Sequence, residues 1–136
     1  MILPATWQRK LAHLYVPEMF AVILGLGSGI FGASILAMPS SYRSIPSFAQ
    51  AFVFVAPHWW GMVMVVLGVA MLSLLTHSRA AAAVPTFLLA IVWVLWVVPI
   101  ALSPGFAPSA PIVYGMISVL TLAAGLACLV PREEKP

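Results

Sequence analysis

The side chains able to do acid–base, nucleophilic or metal chemistry are few in this chain and lie far apart. Three residues are acidic, Asp is absent, and Cys128 is the single cysteine. A serine–histidine–aspartate set cannot be assembled, and one cysteine excludes an intramolecular disulfide and a thiolate metal cluster. His58 is predicted outside, whereas His13 and His77 are predicted inside, so the three histidines cannot form one metal site. We expect no enzymatic activity, no cofactor and no metal.

Glu18 is the one carboxylate placed where a transporter would use it, because it begins the first apolar run. A proton-coupled exporter needs a carboxylate within the membrane that holds proton and substrate in turn. Small four-helix multidrug exporters carry that glutamate well inside the first helix. Glu18 follows Pro17 at the mouth of the run, near Arg9, Lys10 or Arg79, which is typical of a head-group-level acid and disfavours a transporter.

Two glycine motifs overlap in "GLGSGIFGASI", residues 25–35. Gly27, Gly29 and Gly32 form G-x-G-x-x-G, which in a dinucleotide-binding turn follows a strand and opens a helix. Here the pattern lies inside an apolar run with no strand before it, so the nucleotide interpretation fails. Gly25 and Gly29 form G-x-x-x-G, which is typical of two membrane helices in close contact.

On a helix that turns about 100° per residue, the small residues of this stretch share one narrow face. The predicted helix-packing interface consists of Ala21, Gly25, Ser28, Gly29 and Gly32. Gly27 points away from it. The expected partner is a similar face on the fourth apolar run, formed by Thr121, Ala124, Gly125 and Cys128; a second copy of the chain is the alternative.

The elements that must position these residues follow from composition. The chain has 136 residues, of which 63% are hydrophobic and 7% charged. A soluble domain carries roughly a quarter charged residues, so the composition predicts an all-α integral membrane protein. The six basic residues are scattered rather than clustered, which excludes nucleic acid as a partner.

Four apolar runs have the length that an α-helix needs to cross a bilayer. They cover residues 18–38, 57–76, 85–102 and 110–130 of one membrane domain, and predict a four-transmembrane-helix bundle. Pro17, Pro57, Pro85 and Pro111 fall at or just before the first turns, where a missing N–H costs nothing. Pro99 predicts a kink or early unwinding near the end of the third helix.

Three segments are predicted to lie outside the bilayer core. Residues 4–16 form a short amphipathic helix on the inner surface, because apolar and basic residues take opposite faces. In the outer loop, 39–56, the short apolar segment 47–56 is an interfacial or re-entrant segment or a plain linker. Residues 131–136 form a charged cytoplasmic tail.

Orientation follows from the basic residues, which concentrate on the side of both termini. The positive-inside rule therefore places the N- and C-termini in the cytoplasm of a bacterial inner (plasma) membrane. Interfacial anchors are expected at Trp7, Arg9, Lys10, Trp59 and Trp60. Trp93 and Trp96 are expected to be packing residues or outer-leaflet anchors.

The stretch "MPSSYRSIPSF", then "HWWG" at the start of the second helix, with the size and four-helix plan, resembles small membrane proteins of actinobacterial phages and prophages. Some of these are called holin-like. The resemblance implies membrane insertion and permeabilisation, and it supplies no functional residue.

We therefore expect a holin-like protein that oligomerises in the inner membrane. The alternative is a non-catalytic membrane scaffold or accessory subunit. The expected partners are the lipid bilayer and either further copies or another membrane protein.

Overall fold

The computed structural model describes residues 16–103 and 109–130, which form helices joined by short turns and no strand. Six helices follow in chain order: α1 Val16–Ala37, α2 Pro39–Arg43, α3 Pro46–Phe54, α4 Pro57–Leu75, α5 Arg79–Ala101 and α6 Ser109–Leu129. The predicted surface helix 4–16, with Trp7, Arg9 and Lys10, and the tail 131–136 lie outside the described residues.

Four of these helices are long and apolar enough to cross a membrane: α1, α4, α5 and α6. They contain 22, 19, 23 and 21 residues. At about 1.5 Å per residue they measure roughly 28–35 Å, close to the ~30 Å of a hydrocarbon core. Their outward faces carry Leu, Ile, Val and Met.

Proline is the first residue of three of the six helices in the described chain. Pro39, Pro46 and Pro57 occupy the first turns of α2, α3 and α4. Proline is tolerated there because the first N–H groups of a helix have no intrahelical acceptor. The prediction that proline marks the start of the second long apolar helix is confirmed at Pro57.

The same prediction is wrong for the third long apolar helix, which begins six residues before Pro85. Ser78 caps α5 by accepting a hydrogen bond from the Ala81 N–H at 3.4 Å, and a run of alanines carries the first turns. Alanine has the highest helix propensity, which offsets the hydrogen bond that Pro85 removes. The helix also continues through Pro99 to Ala101.

The contacts between the long helices show alternating directions. α1 packs mainly on α4 and α5 mainly on α6, and α4 also packs on α5. Gly25 lies against Gly68, and Gly32 lies against Gly61, so α1 and α4 are antiparallel. One end of the molecule holds Glu18 and the α4–α5 turn, and is called the Glu18 end. The opposite end carries α2 and α3 and is called the α2–α3 end.

Candidate functional site

The closest contact between helices is the one between α1 and α4, and it depends on glycine on both sides. A Cβ on Gly32 would stand 2.6 Å from the Gly61 carbonyl oxygen, and one on Gly68 would stand 2.6 Å from the Gly25 carbonyl oxygen. Real side chains do not approach backbone so closely, so neither position accepts even alanine without movement. We call Gly25, Gly32, Gly61 and Gly68 the glycine contact.

The glycine contact corrects the expected partner of the small-residue face. The partner is α4, not the face of α6 formed by Thr121, Ala124, Gly125 and Cys128. That second face is buried, but Gly125 lies under the ring of Phe87 on α5, whose Cε1 would be 2.9 Å from an added Cβ. The space beside Gly125 on α6 is therefore filled by an aromatic ring. The space beside the glycines of α1 is filled by the backbone of α4.

The five predicted interface residues have different surroundings. Ala21, Gly25, Ser28 and Gly32 are buried. An added Cβ on Gly29 would meet no atom within 4 Å, although its backbone lies near Gly68. The backbone of Gly29 therefore takes part in the contact, but position 29 has room for a side chain and does not require glycine.

Ser28 faces α5 rather than α4. Its hydroxyl accepts a hydrogen bond of 3.0 Å from Nε1 of Trp93. The Trp93 ring stacks against two others, with centroids 5.5 Å from Phe31 on α1 and 5.6 Å from Tyr114 on α6, and those two rings are themselves 6.1 Å apart. Three of the long helices therefore meet at one indole whose polar atom is satisfied.

Further rings continue from Trp93 toward the α2–α3 end. Trp96 is fully buried, and its ring has neighbours from several elements. The centroids of Trp60, Phe31, Phe48 and Phe52 all lie 5.2–5.7 Å from that of Trp96. We call the connected set the aromatic cluster: Phe31, Tyr42, Phe48, Phe52, Trp60, Trp93, Trp96 and Tyr114. It fills the space between the helices at this end.

The α2 and α3 helices cover this cluster. Trp60 Nε1 donates to the Ala51 carbonyl at 3.3 Å, which ties α3 to α4. The hydroxyls of Tyr42 and Ser34 lie 2.6 Å apart, which ties α2 to α1. The segment predicted as either interfacial or linker is therefore helical over most of its length, with Phe48 and Phe52 turned inward.

The two tryptophans at the start of α4 differ in how far they are exposed. Trp59 is 54% exposed, as an interfacial anchor would be, whereas Trp60 is 7% exposed and belongs to the aromatic cluster. Trp93 and Trp96 are packing residues, one of the two roles predicted for them.

Glu18 lies against Arg79 at the Glu18 end. Oε1 of Glu18 is 3.2 Å from Nε of Arg79, an ion-pair distance, although that N–H is not aligned for a hydrogen bond. Nη2 of Arg79 donates to the Ala127 carbonyl at 3.1 Å, in the last turn of α6. A cation is favourable there because the last carbonyls of a helix have no intrahelical donor. The group joins α1, α5 and α6.

The other reactive side chains of the described residues lie apart from one another. Cys128 is buried and unbonded. Nδ1 of His77 lies 2.9 Å from the Ser73 carbonyl oxygen, whereas His58 is at the other end. Within the described residues no three side chains of the metal-binding types come together.

Two features were missed from the sequence, and one of them had a signal. Gly61 and Gly68 are seven residues apart, the same spacing as Gly25 and Gly32, which is the pattern of two helices that meet every second turn. No sequence signal could have indicated the aromatic cluster, because its rings come from six separate helices. Comparison of the chain with protein-family models, curated proteins and solved structures finds no match.

Proposed function

We propose that this chain is a multi-pass protein of a bacterial inner (plasma) membrane, with both termini in the cytoplasm. Its four long helices would form one bundle in the bilayer. The support is the lipid-like outward surface of α1, α4, α5 and α6, on which large apolar side chains such as Ile30 and Val119 are more than 60% exposed. Apolar side chains in such number are costly in water and favourable in lipid.

A topology experiment tests the orientation. Alkaline phosphatase is active only outside the cytoplasm and green fluorescent protein is fluorescent only inside it. Fusions of the fluorescent protein at residue 136 should therefore fluoresce, and phosphatase fusions at residue 44 should be active. The reverse pattern at both sites would overturn the proposed orientation.

The function we propose is holin-like: accumulation in the membrane, oligomerisation and abrupt permeabilisation. The observation that carries it is the aromatic cluster, because its rings fill the space between the described helices of a single copy at the α2–α3 end. Permeabilisation would therefore be a property of an assembly of copies. The resemblance to holin-like phage and prophage proteins supports the same proposal.

Timed expression in a bacterium, with membrane potential followed by a dye, tests this function. Abrupt depolarisation after a delay is the expected result, with lysis when an endolysin is co-expressed. The Gly27→Ala variant should depolarise the membrane as the wild-type chain does, because an added Cβ there meets nothing within 4 Å. Normal growth and potential at high expression of the wild-type chain would overturn the holin-like proposal.

The second candidate is a non-catalytic scaffold or accessory subunit that packs against another membrane protein. The outward side chains of α3 favour it, because Val53 and Phe54 are 72% and 71% exposed. Stable co-purification of one membrane protein after crosslinking from residue 53, without depolarisation, would support this candidate. A transporter is disfavoured, since Glu18 lies against Arg79.

A further inference from the structure

An open cleft lies at the α2–α3 end, between α2 and the first turn of α4. Its volume is about 410 Å³, and it is lined by Pro39, Ser40, Arg43, Pro57 and His58. Small-molecule sites in proteins typically measure ~300–1,000 Å³. The walls are two prolines, while the polar groups are a guanidinium, an imidazole and a hydroxyl.

The positive charge of Arg43 is not neutralised by any residue that the structure describes. Glu18 is the one carboxylate among residues 16–103 and 109–130, and it lies beside Arg79 at the opposite end. Arg43 is also the exception among the basic residues, because the others are predicted on the side of the two termini. An anion that pairs with Arg43 would therefore have to come from outside the described residues.

The residue before Arg43, Tyr42, is packed against α1 and α3, whereas the Arg43 side chain is exposed. The Tyr42 hydroxyl is 2.6 Å from that of Ser34, and the Tyr42 ring packs 5.6 Å from Phe48. On the other wall, His58 lies beside the exposed ring of Trp59, with centroids 5.3 Å apart. Exposed tryptophan is typical of the head-group layer, so the cleft opens at the depth of lipid phosphates.

We propose that this cleft binds a phosphate group, either that of an anionic lipid head group or free phosphate. Arginine offers paired N–H donors that match phosphate oxygens, and histidine has an N–H donor in either protonation state. The Ser40 hydroxyl supplies a third donor. The inference rests on the proposed membrane placement and not on permeabilisation, so a negative lysis experiment leaves it intact.

Thermal unfolding of the purified full chain in maltoside detergent tests the site with three probes. Dioctanoyl phosphatidylglycerol carries acyl chains and phosphate, dioctanoylglycerol carries the chains alone, and inorganic phosphate carries the anion alone. We expect phosphatidylglycerol to raise the unfolding midpoint in a saturable way. A rise with inorganic phosphate that Arg43→Gln abolishes would also support the site and would identify free phosphate as its ligand.

Variants locate the effect. Arg43→Gln and His58→Ala should each require about tenfold more phosphatidylglycerol for the same shift, the loss expected for a charge-assisted hydrogen bond. Arg43→Lys should retain part of the response. Arg132→Gln is the charge-matched control and should respond as wild type. Equal shifts with dioctanoylglycerol, or an unchanged phosphatidylglycerol response in both Arg43→Gln and His58→Ala, would overturn the proposal.

Discussion

The two sides of α1 hold the molecule together by opposite means. Toward α4 it offers Gly25 and Gly32, and the backbones touch because side chains are missing. Toward α5 and α6 it offers Phe31, whose ring joins Trp93, Trp96 and Tyr114. The glycine contact should fail when one carbon is added, whereas the aromatic cluster should fail when carbons are removed.

In the membrane placement that we propose, the difference would reflect what drives helix association in lipid. Burying apolar surface gains little there, since lipid tails are as apolar as leucine, and close packing and hydrogen bonds remain as the driving terms. Glycine achieves close packing by bringing backbones together, and large rings achieve it by filling the gap between backbones that stay apart. Both are forms of high packing density.

Trp96→Ala should give the largest loss of stability. It removes the fully buried ring at the centre of the aromatic cluster, and large-to-small core changes of this kind cost about 3–5 kcal/mol. Reversible unfolding in mixed micelles measures the free energy of unfolding. Trp59→Ala is the control and should change it by less than about 0.5 kcal/mol, because Trp59 is exposed. Equal losses in the two variants would contradict the central place of Trp96.

Gly68→Ala should give the next largest loss, about 1–3 kcal/mol, as expected for overpacking. The added Cβ would stand 2.6 Å from the Gly25 carbonyl oxygen and 3.2 Å from the Gly29 nitrogen, so α1 and α4 must separate. The same unfolding measurement tests it, with cysteine crosslinking between the two helices as a second readout. A stability equal to wild type would show that the backbones are not in contact.

Ser28→Ala should cost about 0.6–1.7 kcal/mol, the range found for hydrogen bonds between membrane helices. It removes the acceptor of Trp93 Nε1 and leaves that buried N–H unpaired. Tryptophan fluorescence during unfolding provides the measurement. Ser73→Ala, at an exposed position on α4, serves as the control, and a loss of the same size there would rule out the hydrogen bond as the cause.

Gly29→Ala should be the smallest change, between no effect and a gain of about 1 kcal/mol. An added Cβ there meets no atom within 4 Å, and alanine favours helix over glycine. Gly29 belongs to the G-x-x-x-G motif, yet Gly68→Ala should be the damaging variant. If Gly29→Ala were less stable than Gly68→Ala, the G-x-x-x-G motif would be the contact, and the contact between Gly25 and Gly68 would be refuted.

Much of the fold was predictable from hydropathy, because ~20-residue apolar runs have few alternatives in a bilayer. The start of α5 was misplaced because Pro85 was interpreted as a helix start, although Arg79–Val84 is a strong helix-forming stretch. The small face of α1 was predictable from spacing, but its partner was not, since α4 and α6 both offer small residues. The rings that meet at Trp96 come from distant parts of the chain, and no local pattern records their contact.

The two helices of the glycine contact lie far apart in the sequence, so they are synthesised at different times. Ala37 ends α1 and Leu75 ends α4, 38 residues later. At about 5–20 residues per second of synthesis, α1 waits roughly 2–8 seconds for its partner. During that interval its glycine face is open to an α1 of a neighbouring nascent chain. Clustered translation would thereby favour exchange of α4 between copies, whereas slow, dispersed synthesis would favour separate molecules.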